Sequence, residues 1–213
     1  MKREQLTGYP FIDKPWEKYY REKPVREFDL NETLYNTIKS VNKDNLDSDA
    51  IGFLGTNITY RELFEKIDRL ADAYYKEGIR EGDVVALCTI NMPIVQESLL
   101  ALSKLGATSQ WIDLRIKGKE LIKNINESHC KLLVVFEGVI DTVNEIIDEV
   151  DVKRVVVVSP KDYLNPLVKI IANLKEKGVV IPKDKRYIKY CHFVRQGNTS
   201  SEVVPVKFIK DRP

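Results

Sequence analysis

Apolar residues recur at helical spacing through the middle of the chain. Leu63, Phe64, Ile67, Leu70, Ala71 and Tyr74 make one stripe, while Arg61, Glu65, Lys66, Asp68, Arg69 and Asp72 fill the opposite face. Thr59 stands where an N-cap belongs, with Glu62 three positions on to close a capping box, and Gly78 stops the helix. A turn at Glu81-Gly82-Asp83 leads into Val84 to Cys88, a continuous apolar run short enough for a strand covered on both faces. Asn91 is the expected cap of the next helix, with Pro93 in its first turn. Ile94, Val95, Leu99, Leu100, Leu102 and Leu105 point in too many directions for a surface helix, which predicts a buried one ending at Gly106. The chain then extends from Ser109 to Asp113. Strand, helix and strand without a hairpin turn form a right-handed crossover and imply a parallel sheet.

The flanks extend this pattern. Residues 1–28 are aromatic and charged, with Tyr9, Phe11, Trp16, Tyr19, Tyr20 and Phe28 broken by Pro10, Pro15 and Pro24. This predicts an extended packing arm with one short helix near Trp16. Asn31 or Asp29 is expected to open a helix through Leu34, Tyr35, Ile38 and Val41. Ala50 to Leu54 and Asn57 to Thr59 flank Gly55-Thr56 as a hairpin. Glu120, Leu121, Ile122 and Ile125 predict a short helix, and Val139 to Val150 an amphipathic one. Leu132 to Phe136 and Val155 to Val158 are two more all-apolar strands. Beyond Pro160, the pattern predicts a helix from Pro166 to Gly178 and another over Tyr187 to Val194. A polar loop over Arg195 to Glu202 and a last strand over Val203 to Ile209 complete it. The fold class is therefore α/β: a mostly parallel sheet flanked by helices on both faces, with an N-terminal arm and a small hairpin. The expected segments are the arm at 1–28, the α/β subdomain at 29–194 and the loop and last strand at 195–213.

Composition adds bounds. In 213 residues, 43% are apolar and 31% charged, as in an ordinary soluble domain. A net charge of +2 with both signs interspersed gives no nucleic-acid footprint, and Lys2-Arg3 and Lys183 to Arg186 are too short to change that. No apolar run approaches a membrane span, and no apolar segment follows Met1-Lys2-Arg3-Glu4 as a signal peptide would require. Cys88, Cys130 and Cys191 are odd in number and far apart, which predicts reduced thiols and a cytoplasmic setting. In that setting the glycosylation triplets at Asn31, Asn57, Asn126 and Asn198 carry no meaning.

Ile58-Thr59-Tyr60-Arg61-Glu62-Leu63 resembles the first core motif of the adenylate-forming superfamily (AMP-dependent synthetases and ligases). Leu102-Ser103-Lys104-Leu105-Gly106-Ala107, running on to Ile112-Asp113-Leu114, is similar to the second. Gly78 to Leu87 and Asn91 fall where that family has such residues, and Trp111 stands in place of its usual proline. The resemblance covers roughly Ala50 to Phe136. It implies an acyl-CoA synthetase-like protein that activates a carboxylic acid with ATP and Mg²⁺ and passes it to coenzyme A. It also implies that the present chain is the N-terminal fragment, preceding the nucleotide loop and the C-terminal domain. The fragment is expected to be structural and inactive, to partner the remainder of its own chain, and to self-associate through the face left uncovered.

The residues themselves offer no phosphate loop, dinucleotide fingerprint or zincin motif. Thr199-Ser200-Ser201 resembles the family's phosphate-cradling loop in composition only, lacking the glycines and lysine that a triphosphate requires. His129-Cys130 and Cys191-His192 suggest a Zn²⁺ site or a Cys–His nucleophile, but ordinary packing and surface roles account better for both. Asp113 and Asn91 sit at element ends where ligands gather, with capping the simpler role for each. No catalytic, cofactor-binding or metal-ligating residue is therefore assigned. A stand-alone binding or regulatory module, the adenylation domain of a peptide synthetase (with a carrier-protein acceptor) and a flavodoxin-like cofactor domain remain the alternatives. The last would need phosphate-binding turns at Thr89-Ile90-Asn91 and Glu137-Gly138.

Overall fold

The computed structural model describes residues 7–19, 31–175, 179–199 and 203–207. The chain divides into two compact units, Met1–Leu30 and Asn31–Pro213. In the first unit α1 (Pro10–Asp13) starts on a proline, and a 3-10 turn follows at Glu17–Tyr19, so two short helical pieces stand where one was expected. The Asp13 carboxylate holds the entry by accepting from the Thr7 amide and hydroxyl and from the Gly8 amide, at 2.8, 2.7 and 2.9 Å.

The second unit opens with α2 (Leu34–Val41), capped by Thr33, whose hydroxyl accepts from the Asn36 amide at 3.2 Å. Asn31 is not the cap, and Asp29 lies outside the described residues. Three polar residues compete near this start, and the one held in extended backbone just before Leu34 takes the role. β1 (Asp49–Phe53) and β2 (Thr56–Thr59) form the expected antiparallel hairpin. Leu54 and Gly55 bridge them with φ of 48° and 76°, the positive values that match the twist of a two-residue turn.

α3 (Tyr60–Lys76) carries both halves of the capping box. The Thr59 hydroxyl accepts from the Glu62 amide at 3.3 Å, and the Glu62 carboxylate accepts from the Thr59 amide at 2.9 Å. All six stripe residues are buried. Asp72, expected on the solvent face, is buried too, because a later segment packs over it.

There follow β3 (Val84–Cys88), α4 (Ile94–Leu105), β4 (Thr108–Trp111), α5 (Gly118–Glu127) and β5 (Leu132–Phe136). The chain continues through α6 (Ile140–Ile146), β6 (Arg154–Val158), α7 (Pro166–Lys175), β7 (Tyr187–Lys189) and α8 (Tyr190–Arg195). Among the described residues the sheet has the order β4-β3-β5-β6-β7, and every pair is parallel. Strand alternation divides the core. Val85, Leu87, Leu132, Val134, Val156 and Val158 cluster with buried residues of α2, α3, α4 and α8. Ala86, Cys88, Leu133, Val135, Val155 and Val157 cluster instead with α5 and α6. This two-faced burial is why these strands read as unbroken apolar runs.

Several boundaries differ from expectation. α4 starts at Ile94 with Pro93 as its N-cap, so Asn91 lies exposed in the preceding bend and caps nothing. Pro93 already supplies helical φ, and its missing N–H leaves no donor for a capping side chain to meet. β4 begins one residue early and ends at Trp111, in register with β3 through the pair Val84↔Thr108. The helix expected over Val139 to Val150 is broken into a 3-10 turn, α6 and a second 3-10 turn. Tyr187 to Val194 is not one helix. Its first three residues pair with Val155–Val157 as β7, because β6 offers a free edge there. Residues 203–207 form no strand, although the Val206 amide donates to the Lys104 carbonyl at 3.0 Å. Gly178, Ile209, Ser200 and Ser201 lie outside the described residues.

Candidate functional site

All five strands end on one rim, and in parallel sheets ligands gather outside the carboxyl ends, where the connections leave for opposite faces. Here that point lies between β3 and β5. The helix after β3 packs on one face and the helix after β5 on the other.

The two loops at that point are Thr89–Met92 and Glu137–Val139. Thr89 Oγ1 donates to the Ile90 carbonyl at 3.2 Å, so its hydroxyl is turned onto its own loop. The first turn of α4 holds Pro93 without an N–H and the fully buried carboxylate of Glu97. A helix start with a missing donor and a fixed negative charge opposes an anion. After β5, a Cβ on Gly138 would lie 2.4 Å from the Phe136 ring, so that glycine serves packing of its own loop. Neither of these two loops forms a cradle for an anion.

The rim loops are fixed by polar ties. Ser159 Oγ donates to Glu137 Oε1 at 2.5 Å and accepts from the Lys161 amide, joining the ends of β5 and β6. Asp162 accepts from the Ser159 amide at 3.0 Å and lies 3.7 Å from Lys169 Nζ. At the other edge Asp113 accepts from the Arg115 amide at 2.9 Å and pairs with its guanidinium. Those hydrogen bonds hold the Asp113 carboxyl down at about 2. Asp113 thus shapes a local turn.

Beneath the rim lies a buried cluster that sequence reading did not find. Glu97 Oε2 accepts from the Tyr163 hydroxyl at 2.6 Å and from the Tyr190 hydroxyl. Glu97 Oε1 has no hydrogen bond, but Lys66 Nζ stands 3.6 Å away as an ionic partner and lies over the Tyr163 ring. Burial, together with the Glu97 charge, pushes both phenols well above their ordinary range, so they remain donors. Tyr163 follows β6 and Tyr190 follows β7, so one carboxylate on α4 pins two rim connections. The available signal was Glu97, the one acid in the stretch from Ile94 to Leu105.

The Cys-His pairs are not brought together. Cys130 precedes β5 at the amino end of the sheet, whereas Cys191 follows β7 at the carboxyl end. Among the described residues no group of three His, Cys, Asp or Glu side chains is placed to hold a metal. Burial raises the Cys130 thiol and pushes Cys88 up to about 11, with Asp113 adding to the latter. Iodoacetamide at pH 8 should therefore label native protein first at the half-buried Cys191, sparing Cys88 and Cys130 until the protein is unfolded. Peptide mapping by mass spectrometry checks this, and early labelling of Cys88 would contradict it.

A family model described as AMP-binding enzyme matches residues 39–190. The chain is 30% identical to an acetyl-coenzyme A synthetase of Dictyostelium discoideum over 47% of its own length and 16% of that protein's. It is 27% identical to a 2-succinylbenzoate–CoA ligase of Listeria innocua, over 52% of the chain and 24% of that ligase. The fold matches an anthranilate CoA ligase crystallised with anthranoyl-AMP at a TM-score of 0.70 and 14% identity. That match covers 87% of this chain and 32% of the ligase. A long-chain-fatty-acid-CoA ligase from Archaeoglobus fulgidus matches at 0.63 and 18% identity, over 85% and 33%. The chain thus spans between a sixth and a quarter of these two relatives and about a third of the solved ligases.

Proposed function

The chain belongs to the AMP-binding enzyme family, and from that premise we propose that it is the sheet-bearing scaffold of an AMP-forming acyl-CoA ligase. The reaction of the whole protein is activation of a carboxylate by ATP to an acyl-adenylate, followed by transfer to coenzyme A. Residues 29–194 form the α/β subdomain in this reading. The polypeptide that partners it supplies the sites for ATP, Mg²⁺, coenzyme A and the acid.

The match over 39–190 supports the reading, because the relatives it leads to carry acid–CoA ligase names. The division of labour is supported by the rim itself. Its first helix starts on Pro93, which has no N–H to offer, and the polar groups of Glu137, Ser159 and Asp162 are turned onto one another. We derive no chemical step from these residues. Their role is to hold five strand ends in fixed relation, as preorganisation of a neighbouring site requires.

Purified 213-residue protein should give no ATP–pyrophosphate exchange above background with acetate, 2-succinylbenzoate or a fatty acid, and no calorimetric signal with Mg·ATP. Acid-dependent exchange by this polypeptide alone would overturn the assignment.

A further inference from the structure

We propose that α7 and its described flanks, residues 160–175 and 179–189, form a surface contact for an anionic lipid bilayer. α7 turns its apolar stripe outward. Leu167 is 72% exposed and Ile170 58%, and Val168 and Ile171 beside them are exposed as well. Val180, in the connection to β7, is 85% exposed. Apolar residues at i, i+3 and i+4 normally face a core, and a solvent-facing stripe of this kind marks an interaction surface.

The surface is continuous across two hollows. One, of about 410 Å³, is lined by Pro160, Leu164, Val168 and Ile171. The other, of about 210 Å³, is lined by Lys161, Lys169, Val179 and Lys189, and the two share Glu137 and Lys161.

Charge selects the partner. Residues 160–189 hold eight lysines and arginines against three acids, a net of +5, whereas the whole chain carries +2. Two of those acids are already engaged within the segment, Asp162 by Lys169 and Asp184 by Arg186. Lys183, Lys185 and Lys189 are exposed. A second copy docking symmetrically on this face would set its exposed lysines, Lys183, Lys185 and Lys189, against like charges. The exposed apolar side chains of the stretch are aliphatic, without the aromatic anchors that centre protein interfaces. Bare aliphatics ringed by lysine are what the headgroup boundary of an anionic bilayer accepts. The helix lies in the membrane plane. Its ten residues reach about 15 Å, half a hydrocarbon core. Among the described residues no helix is long and apolar enough to cross a membrane.

Flotation of the 213-residue chain with phospholipid vesicles tests this. The protein should float with vesicles of equal parts phosphatidylcholine and phosphatidylserine, and bind pure phosphatidylcholine about tenfold less. Leu167→Ser combined with Ile170→Ser should lower binding about tenfold while leaving the unfolding midpoint unchanged, since both side chains are exposed. Failure to float, or floating that the double substitution leaves intact, overturns the proposal. So does a dimer in sedimentation equilibrium that the same double substitution dissolves without any vesicle binding, because the face then belongs to a second copy.

Discussion

Replacing Glu97 by alanine should lower the unfolding free energy by about 3–5 kcal/mol, the usual cost of removing one partner from a buried charged cluster. The carboxylate is fully buried and accepts from Tyr163 and Tyr190 while facing Lys66 at 3.6 Å. Without it two buried hydroxyls lose their acceptor, a lysine loses its counter-charge, and a cavity opens inside α4. Glu97→Gln keeps the volume and an acceptor oxygen and should cost distinctly less. Urea denaturation of both variants, with Tyr190→Phe and the double variant, gives the coupling between the two side chains. The cluster is energetically idle if Glu97→Ala unfolds within about 0.5 kcal/mol of the parent, the range of ordinary surface substitutions.

Gly197→Ala should be the next most damaging change, at about 2–3 kcal/mol, near the upper end for forced overpacking. A Cβ at this position would stand 1.8 Å from the Arg69 carbonyl oxygen and 2.7 Å from its carbon. Both belong to the backbone of α3 and cannot swing aside, so the segment after α8 must lift. Lifting breaks the bond from the Asn198 amide to Asp72 Oδ2 at 2.8 Å and that from Lys76 Nζ to the Gln196 carbonyl at 2.7 Å. Asp72, buried under this segment, then meets water beside Lys76. Hydrogen exchange should report the change locally, with the Asn198 amide losing protection ahead of the strands. Unaltered protection there, together with an unchanged midpoint, would mean the close approach has no energetic weight.

What the sequence made legible follows from how local each signal is. The capping box at Thr59 and Glu62 closes within four residues, and the runs Val84 to Cys88 and Leu132 to Phe136 declare two-faced burial without reference to partners. β7 could not be read that way. Tyr187-Ile188-Lys189 is a strand only because Val155 to Val157 lies beside it, and by periodicity alone it merges into α8. The Thr33 cap was missed for the opposite reason, since neighbouring polar residues offered equally good local signals. Glu97 meets Tyr163 and Tyr190 across separations of 66 and 93 residues, and no local pattern encodes such a meeting. The burial of Asp72 likewise depends on Asn198, 126 positions away.

The strand order has a consequence for biosynthesis. β3 is the first strand of the sheet to be made, and each later one finds its neighbour already synthesised: β4 and β5 on either side of β3, β6 on β5, β7 on β6. The described part of the sheet can therefore assemble in the direction of translation, since none of its five strands waits for a later one to fill a place between neighbours. Chains cut back from the C-terminal end would shed strands from one side only, leaving the β3–β4 crossover paired to the last.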